Sequence, residues 1–369
     1  MTNRNAGCVP EFLGGTNIRI LLVAFFCLLC SSSALAEFGG TALMLWPTAR
    51  SVALGGAMTA LADEPDAEFW NPGGLGFQRG ASAAASGRRW MDAMDLRYLS
   101  AGWGFSRVAG TGLDVNAGVN AWYFPFDSGP VTDETGRLIG KYRPWEAAVG
   151  VHGGVGIGDR FGVGLALKYF YALYMPGWVF DSLGYPGSNE DFAANALAAD
   201  VGVLYRPLNQ VSVGLALSNF GSGIHFNRQN AVDNLPTTAR LGVCGTPVDI
   251  PLVRARLLGE ASLILTEEST PFVVAAERLW KTAAAEVTVL QIVSARISYL
   301  WIQGAWDPWP GLCYGFGLGY KDYVRFDVAC DRPLAPLGRR SQWVLGLAVN
   351  NLPGFVAELK RGPRLDWSW

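Results

Sequence analysis

Histidine is almost missing from this chain, and so are the usual tools of soluble catalysis and metal binding. Only His152 and His225 occur in 369 residues. A Cys/His zinc pattern or a His-based metal site has almost nothing to draw on, and no metal or cofactor is expected. Charge is also scarce, at 16% of residues, and nearly balanced, with 29 basic against 31 acidic side chains. That balance excludes the clustered basic surplus of a nucleic-acid binder. Cysteine is sparse: Cys8, Cys27 and Cys30 lie near the start, leaving Cys244, Cys313 and Cys330. An odd, scattered set is no disulfide scaffold. Beyond residue 36 no unbroken apolar run is long enough for a membrane-spanning helix. Yet half of the residues are hydrophobic, and there are 46 glycines and 14 tryptophans. The apolar content must therefore be distributed over short segments.

The start of the chain accounts for the one continuous apolar run. Arg4 and Arg19 precede Ile20 to Leu29, and Ala34-Leu35-Ala36 follows as a small-x-small site. Residues 1–36 read as a secretory signal peptide. A spanning helix is the alternative, but the run is short and Ser31 to Ser33 interrupt it. Cys30 raises a lipid-anchor site, against which Leu29 argues, because such sites want a small residue there.

In the remainder, the hydrophobic period is two. In FGVGLALKYFYAL, Phe161, Val163, Leu165, Leu167, Tyr169, Tyr171 and Leu173 share a face, opposed by Gly162, Gly164, Ala166 and Lys168. VSVGLALS at 211–218, LDVNAGVNAWY at 113–123 and YGFGLGY at 314–320 repeat the scheme. Strict alternation is the mark of a strand with one apolar face. A soluble sandwich would solvate its other face with Lys, Glu, Thr and Arg. Here that face is mainly Gly, Ala, Ser and Asn, which suits the crowded lumen of a barrel whose apolar face meets lipid. Aromatic residues near segment ends, such as Trp122 and Trp301, suit the two membrane interfaces. Fourteen strands are expected, near 81–91, 96–107, 111–124, 145–157, 160–173, 197–206, 210–220, 237–246, 252–266, 271–280, 286–302, 312–320, 324–331 and 341–350. Tight connections at 108–110, 158–159, 207–209 and 321–323 alternate with long ones at 125–144, 174–196, 221–236, 303–311 and 332–340. This is the short-turn, long-loop rhythm of an up-and-down transmembrane antiparallel β-barrel. At 92–95 and 281–285 the lengths decide nothing. A turn at 321–323 places Phe316 opposite Val328 and Leu318 opposite Phe326, with Cys313 inward and Cys330 outward, so those two cannot bond.

The expected organisation is a leader over 1–36, an N-terminal hatch over 37–80, a barrel over 81–350 and a tail over 351–369. A barrel of this strand number leaves a lumen that needs filling. Residues 37–80 are small-residue rich and turn rich, and carry too few charges for a solvated linker. A plain periplasmic entry segment is the competing reading. Ala49 to Ala62 can form a short helix capped by Thr48, weakened by Gly55 and Gly56. Trp70 leads into Asn71-Pro72-Gly73-Gly74, a turn in which Asn71 can bond its own neighbouring backbone. These five residues are the candidate gate, held by Ala and Gly packing with few large apolar anchors.

The stretch ARSVALGGAMTALADEPDAEFWNPGGLG at 49–76 resembles the N-terminal signature of FadL-like outer-membrane proteins, most closely the PorV/PorQ branch. The shared features are Ala49-Arg50, Gly55-Gly56-Ala57, Thr59 to Asp63 and Trp70 to Leu75. Gly73 departs from the family's usual Ala, and a tail follows the last strand where such barrels usually end. The resemblance implies a fourteen-stranded barrel with a hatch in the outer membrane, surrounded by lipid. It also implies either transport of hydrophobic small molecules or handling of secreted protein cargo with other type IX secretion components. A structural outer-membrane scaffold without transport is the alternative.

Two loops stand out as contact surfaces. The loop at 174–196 carries Trp178, Phe180, Tyr185 and Phe192, and the loop at 221–236 carries Ile224 and Phe226. They form either an apolar groove for ligand or cargo, or a packed lid of loop on loop. Catalysis is not expected, since neither histidine has a Ser-Asp set beside it. Gly154-Val155-Gly156-Ile157-Gly158 lacks the following helix a phosphate loop needs.

Overall fold

The computed structural model describes residues 39–90, 94–105, 112–184, 190–227, 232–265, 279–301, 311–331 and 342–361. The expected leader, Tyr185 and the end of the tail lie outside them. Alternation produces the strands β1 (Gly80–Trp90), β2 (Met94–Phe105) and β3 (Leu113–Pro125), then a small hairpin of β4 (Gly129–Thr132) and β5 (Leu138–Tyr142). Next come β6 (Trp145–Ile157), β7 (Phe161–Met175), β8 (Phe192–Leu208), β9 (Val211–Gly221), and the short β10 (Ile224–Phe226) and β11 (Val232–Asp233). The series ends with β12 (Thr238–Asp249), β13 (Val253–Ile264), β14 (Trp280–Val289), β15 (Val293–Trp301), β16 (Gly311–Tyr320), β17 (Val324–Asp331) and β18 (Gln342–Val349). Each barrel strand pairs antiparallel with its sequence neighbour. β1 pairs with β18, and β8 with β9, so fourteen strands close into a barrel. β10 and β11 extend the edge of β8 above the barrel, and β4–β5 stand apart as their own sheet. No helix among the described residues is long and apolar enough to cross a membrane.

The barrel is apolar outside. Leu165 is 46% exposed, whereas Ala166 beside it is 1% exposed, and the same alternation runs through all the long strands. The register at 321–323 is the expected one: Phe316 faces Val328 and Leu318 faces Phe326. Cys313 points inward. Cys330 has the outward parity of Phe326 and Val328, yet it is buried, because Tyr314 and Trp343 flank it across the two neighbouring strands. Both thiols are free. Replacing Leu165 with Arg is expected to cost about 2–4 kcal/mol of barrel stability, as for a cation near the bilayer midplane. Ala166→Ser should cost far less. Equal shifts of the two variants in urea titrations of the folded barrel in vesicles would contradict this orientation.

Three boundaries differ from expectation. No crossing occurs at 281–285: β14 runs through it, pairing Ala283, Ala284 and Ala285 with Tyr299, Ser298 and Ile297. The turn lies instead at 290–292, where Leu290 and Gln291 take positive φ. The aliphatic turn carries no Gly, Pro or Asn to announce it. The expected long loop at 174–196 is shorter, because β7 continues to Met175 and β8 starts at Phe192. The turn expected at 207–209 moves to 209–210 because β8 continues to Leu208.

Residues 39–77 pack against the inward faces of the strands. They contain a 3-10 turn over Thr41–Met44, helix α1 (Ala49–Ala53), helix α2 (Ala67–Trp70) and a 3-10 helix over Pro72–Phe77. Thr48 caps α1 in a reciprocal arrangement with Ser51. The helix expected over 49–62 stops after Ala53, since Gly55 and Gly56 both adopt positive φ. A further short helix, α3 (Gly177–Ser182), follows β7, and α4 (Leu352–Arg361) follows β18.

Candidate functional site

The interior segment touches the wall on nearly every side. The Ala42 amide donates to Glu146 on β6 at 3.0 Å, and the Thr59 amide to Glu260 on β13 at 2.9 Å. Thr282 on β14 donates to the Gly55 carbonyl at 2.9 Å, and Ser298 on β15 to the Ala53 carbonyl at 3.0 Å. Ser100 on β2 and Ser212 on β9 donate to the carbonyls of Pro65 and Ala60. These bonds satisfy backbone groups that a non-helical segment would otherwise leave unpaired in a dry interior.

Asn71 does two jobs. Its Oδ1 accepts from the Gly73 amide at 2.9 Å, the local bond the sequence suggests. Its Nδ2 donates to the carbonyls of Thr59 and of Val203 on β8, each at 2.8 Å. The turn is thus tied both to the segment and to the wall. Pro72 to Gly76 run against glycines of β6, β7 and β8. A Cβ on Gly164 would overlap the Pro72 carbonyl, and one on Gly202 would overlap Asn71 Oδ1. Gly214 on β9 stands likewise against the Thr59 carbonyl. The wall glycines are therefore the track on which the segment lies. Gly164→Ala or Gly202→Ala is expected to weaken docking by about 1–3 kcal/mol through overpacking. Gly245→Ala, where an added Cβ meets nothing within 4 Å, is the matched control. Limited proteolysis within residues 59–77 reads the difference. Equal resistance in all three variants would refute the track.

The segment is not held by small residues alone, which corrects the expectation of few large anchors. Trp70 is fully buried. Its ring lies 4.9 Å from Phe69 and 6.5 Å from Trp46, with the Arg240 guanidinium 5.3 Å away. Phe69 also meets Trp122 of β3. Such aromatic contacts add to the burial of large surfaces.

Buried charge dominates the opposite side. Arg50 makes a bidentate contact with Glu286 on β14, Nε and Nη2 donating at 2.9 and 2.8 Å. Its Nη1 reaches Asp63 at 2.6 Å and Glu64 at 2.8 Å. Glu286 also accepts from Arg256 on β13 and Arg296 on β15, at 2.8 and 2.6 Å. Arg296 continues to Asp327 on β17 at 2.7 Å, Asp327 to Arg325, and Arg325 back to Glu64. Four arginines and four carboxylates close a neutral ring around one end of the segment. Bidentate arginine pairs fix orientation as well as adding attraction. Of these residues sequence reading singled out none as functional. The available signal was a lone charge at the small-residue parity of each strand, as at Glu286 in TAAAEVTV.

A third cluster surrounds Glu68. Its carboxyl accepts from the Tyr98 hydroxyl and from Asn120 Nδ2, and His152 lies beyond Asn120. Burial pushes the Glu68 carboxyl up to about 8, against the hydrogen bond from Tyr98, with Asp66 adding to the rise. The folded state therefore binds this proton more tightly than the unfolded chain. Its contribution is complete below the ordinary value of 4.5 and is lost as pH rises through about 8. Docking should loosen on the alkaline side of that window, and Glu68→Gln, which mimics the neutral acid, should remove the dependence. Protection of the segment against proteolysis on either side of pH 8 measures it, and a dependence that survives in Glu68→Gln would assign it elsewhere.

The space left between segment and wall is small. The cavity between Trp46, Trp70, Trp280 and Leu300 holds about 20 Å³, room for a water. Two wider openings lie at the short-turn mouth: one of about 440 Å³ beside Phe77, Arg79, Arg206 and Lys321, and one of about 350 Å³ beside Asp63, Arg254 and Arg325. Both end at the segment.

Among the described residues, the loop aromatics fall into two separate groups. Phe192 and Phe226 stack at 5.6 Å, and Tyr174 joins both. Ile224 is fully buried over Gly39 and Gly40, at the start of the interior segment. Trp178 on α3 instead lies over Gly140 of the β5 hairpin, and Phe180 is half-buried. Loop-on-loop packing describes Phe192, Ile224 and Phe226. Tyr185 lies outside the described residues.

No protein-family model and no curated protein matches the sequence. Solved structures do. The Ralstonia pickettii toluene transporter TbuX is 12% identical, with a TM-score of 0.50 over 82% of this chain and 98% of that one. The CymD monoaromatic hydrocarbon channel is 11% identical, with a TM-score of 0.51 over 82% and 96%. The fold is FadL-like. A Pseudomonas aeruginosa FadL homologue matches more loosely, at 11% identity and a TM-score of 0.41 over 83% and 98% of the two chains. A closed fourteen-strand barrel with an apolar exterior is the architecture of a transmembrane β-barrel.

Proposed function

We propose that the protein is an outer-membrane channel for hydrophobic small molecules, closed by a hatch formed of residues 39–77. One observation carries the reading: the middle of the lumen is occupied by a separate segment, residues 39–77, that packs against the inward side chains of the strands. The segment's wall contacts are hydrogen bonds, ion pairs, backbone-on-glycine approaches and aromatic packing such as Phe69 on Trp122, all of which can break without disturbing strand pairing. Buried ion pairs add little net stability compared with apolar filling, so their use here favours a positional role. TbuX and CymD, named for toluene and monoaromatic hydrocarbons, point to apolar cargo. The reading assigns no enzymatic step to His152 or His225.

The test is uptake of a radiolabelled monoaromatic hydrocarbon by cells that produce the protein, against cells that produce the Glu286→Gln variant. Faster uptake than in cells lacking the protein supports the channel, and an unchanged rate in both removes it. A second reading rests on the signature at 49–76. The PorV/PorQ branch would place a secreted protein, with type IX secretion components, at the long-loop end near Trp178. Co-purification of an exported protein lost in Trp178→Ala would favour it. A barrel that neither transports nor binds cargo would be a scaffold.

A further inference from the structure

The tail after β18 forms a ten-residue helix, Leu352–Arg361, with three exposed aliphatic side chains. Its start is well determined. Asn351 takes positive φ, its Oδ1 accepts from the Gly354 amide, and its carbonyl accepts from Phe355 at 3.0 Å. Pro353 occupies the first turn, where a missing amide hydrogen costs nothing. At 100° per residue Phe355, Leu359, Leu352 and Val356 form one contiguous arc. Phe355 packs on Tyr320 and Tyr323, with ring centroids 6.2 and 5.8 Å away. Lys321 pairs with Glu358 and fixes the helix about its axis. The other three remain uncovered: Leu352 is 44% exposed, Val356 40% and Leu359 55%.

We infer that α4 is an interfacial anchor, its Leu352, Val356 and Leu359 arc seated in the phospholipid leaflet at the short-turn end of the barrel. The argument is continuity. Tyr320 has the outward parity of Phe316 and Leu318, two of the most exposed apolar side chains of the outer wall. Phe355 rests on that tyrosine, so the helix arc prolongs the column that meets lipid. Lys360 borders the arc next to Val356, where its ammonium can reach water or lipid headgroups, and Ala357, also exposed, lies farther round the helix. Three aliphatic side chains fall far short of the roughly 800 Å² per partner of a stable protein interface, so neither a second copy nor another protein fits as well. An amphipathic helix lying in the interface needs only this narrow apolar face. The anchor would fix the height of the short-turn mouth, whose recess Lys321, Tyr323 and Asn351 line.

The experiment is collision-accessibility spectroscopy on single-cysteine spin-labelled variants at positions 356, 359 and 357. The full chain, with its six native cysteines replaced by alanine, is reconstituted into phosphatidylethanolamine and phosphatidylglycerol vesicles. Heat-modifiable migration on gels confirms that each variant is a folded barrel. Labels at 356 and 359 should favour oxygen over a water-soluble nickel complex, at a depth of about 5–10 Å. The label at 357 should favour nickel. If 356 and 359 are as open to nickel as 357, the helix lies in water. If both are shielded from oxygen and nickel alike, protein covers the face. Either result overturns the anchor, and neither bears on whether the barrel transports.

Discussion

Deleting residues 38–76 is expected to turn a barrel of low conductance into an open pore that still folds. The strand ladder does not depend on the segment: each of the fourteen strands is paired on both sides with other strands, and closure runs through β1–β18 and β8–β9. The ion pairs do not all depend on it either. Glu286 keeps Arg256 and Arg296, and Asp327 keeps Arg296 and Arg325, when Arg50 and its neighbours are gone. The wall charges that lose partners would face a water-filled lumen, where solvation replaces the lost contacts at modest cost. A fourteen-strand barrel is wide enough for ions once nothing fills it. Planar-bilayer recordings of the two proteins check this. If the deletion variant is folded and silent, the lumen has another closure. If the intact protein already conducts as freely as the variant, the segment does not gate it.

How far the sequence revealed this arrangement depends on how local each determinant is. Period-two patterning is local, and it suffices to place Leu165 outward, Ala166 inward and the β16–β17 register. It failed at Ala283 to Ala285, where small residues on both faces erased the alternation. It failed as well at Leu290-Gln291, a turn built from residues with no turn preference. The Asn71 turn was readable because Asn-Pro-Gly-Gly allows few other conformations. The charge ring was not. Arg50, Glu286 and Asp327 are far apart in sequence, and each looks like an isolated charge until closure brings them together. The glycines of β7 and β8 were visible but misassigned, as general small filling of a lumen. Their need comes from one backbone lying on another, at Pro72 and Asn71, which is a tertiary fact. The loop aromatics invited a groove because composition counts residues and cannot say that Phe192 and Phe226 spend their faces on each other.

Arg50→Met is expected to be the most damaging single substitution for the closed state, releasing the segment while leaving the barrel intact. Arg50 is fully buried and is the only cation of the segment among the charge ring's four arginines. Its one side chain joins both Asp63 and Glu64 of the segment to Glu286 of the wall, whereas Arg256 bridges only Asp63 to Glu286. Removing one partner of a buried pair costs about 3–5 kcal/mol, because the carboxylates it leaves behind remain desolvated. Asp63 and Glu64 would retain only Arg256 and Arg325, and Glu286 would lose its bidentate contact. Arg50→Lys should recover little, since one ammonium cannot span the two oxygens of Glu286 and reach Asp63 as well. Arg50→Met combined with Glu286→Gln should be milder than the sum of the two, as expected for contacting residues, whose coupling runs to about 0.5–3 kcal/mol. Protease resistance of residues 39–77 and bilayer conductance, measured on the same preparations, provide two readouts. A latch predicts that they change together in Arg50→Met while the heat-modifiable migration of the barrel stays the same. Were the segment to remain protected and the channel closed, the ring would be a passive filling of the lumen, and the hold on the segment would belong to the Trp70 and Asn71 contacts on the other side.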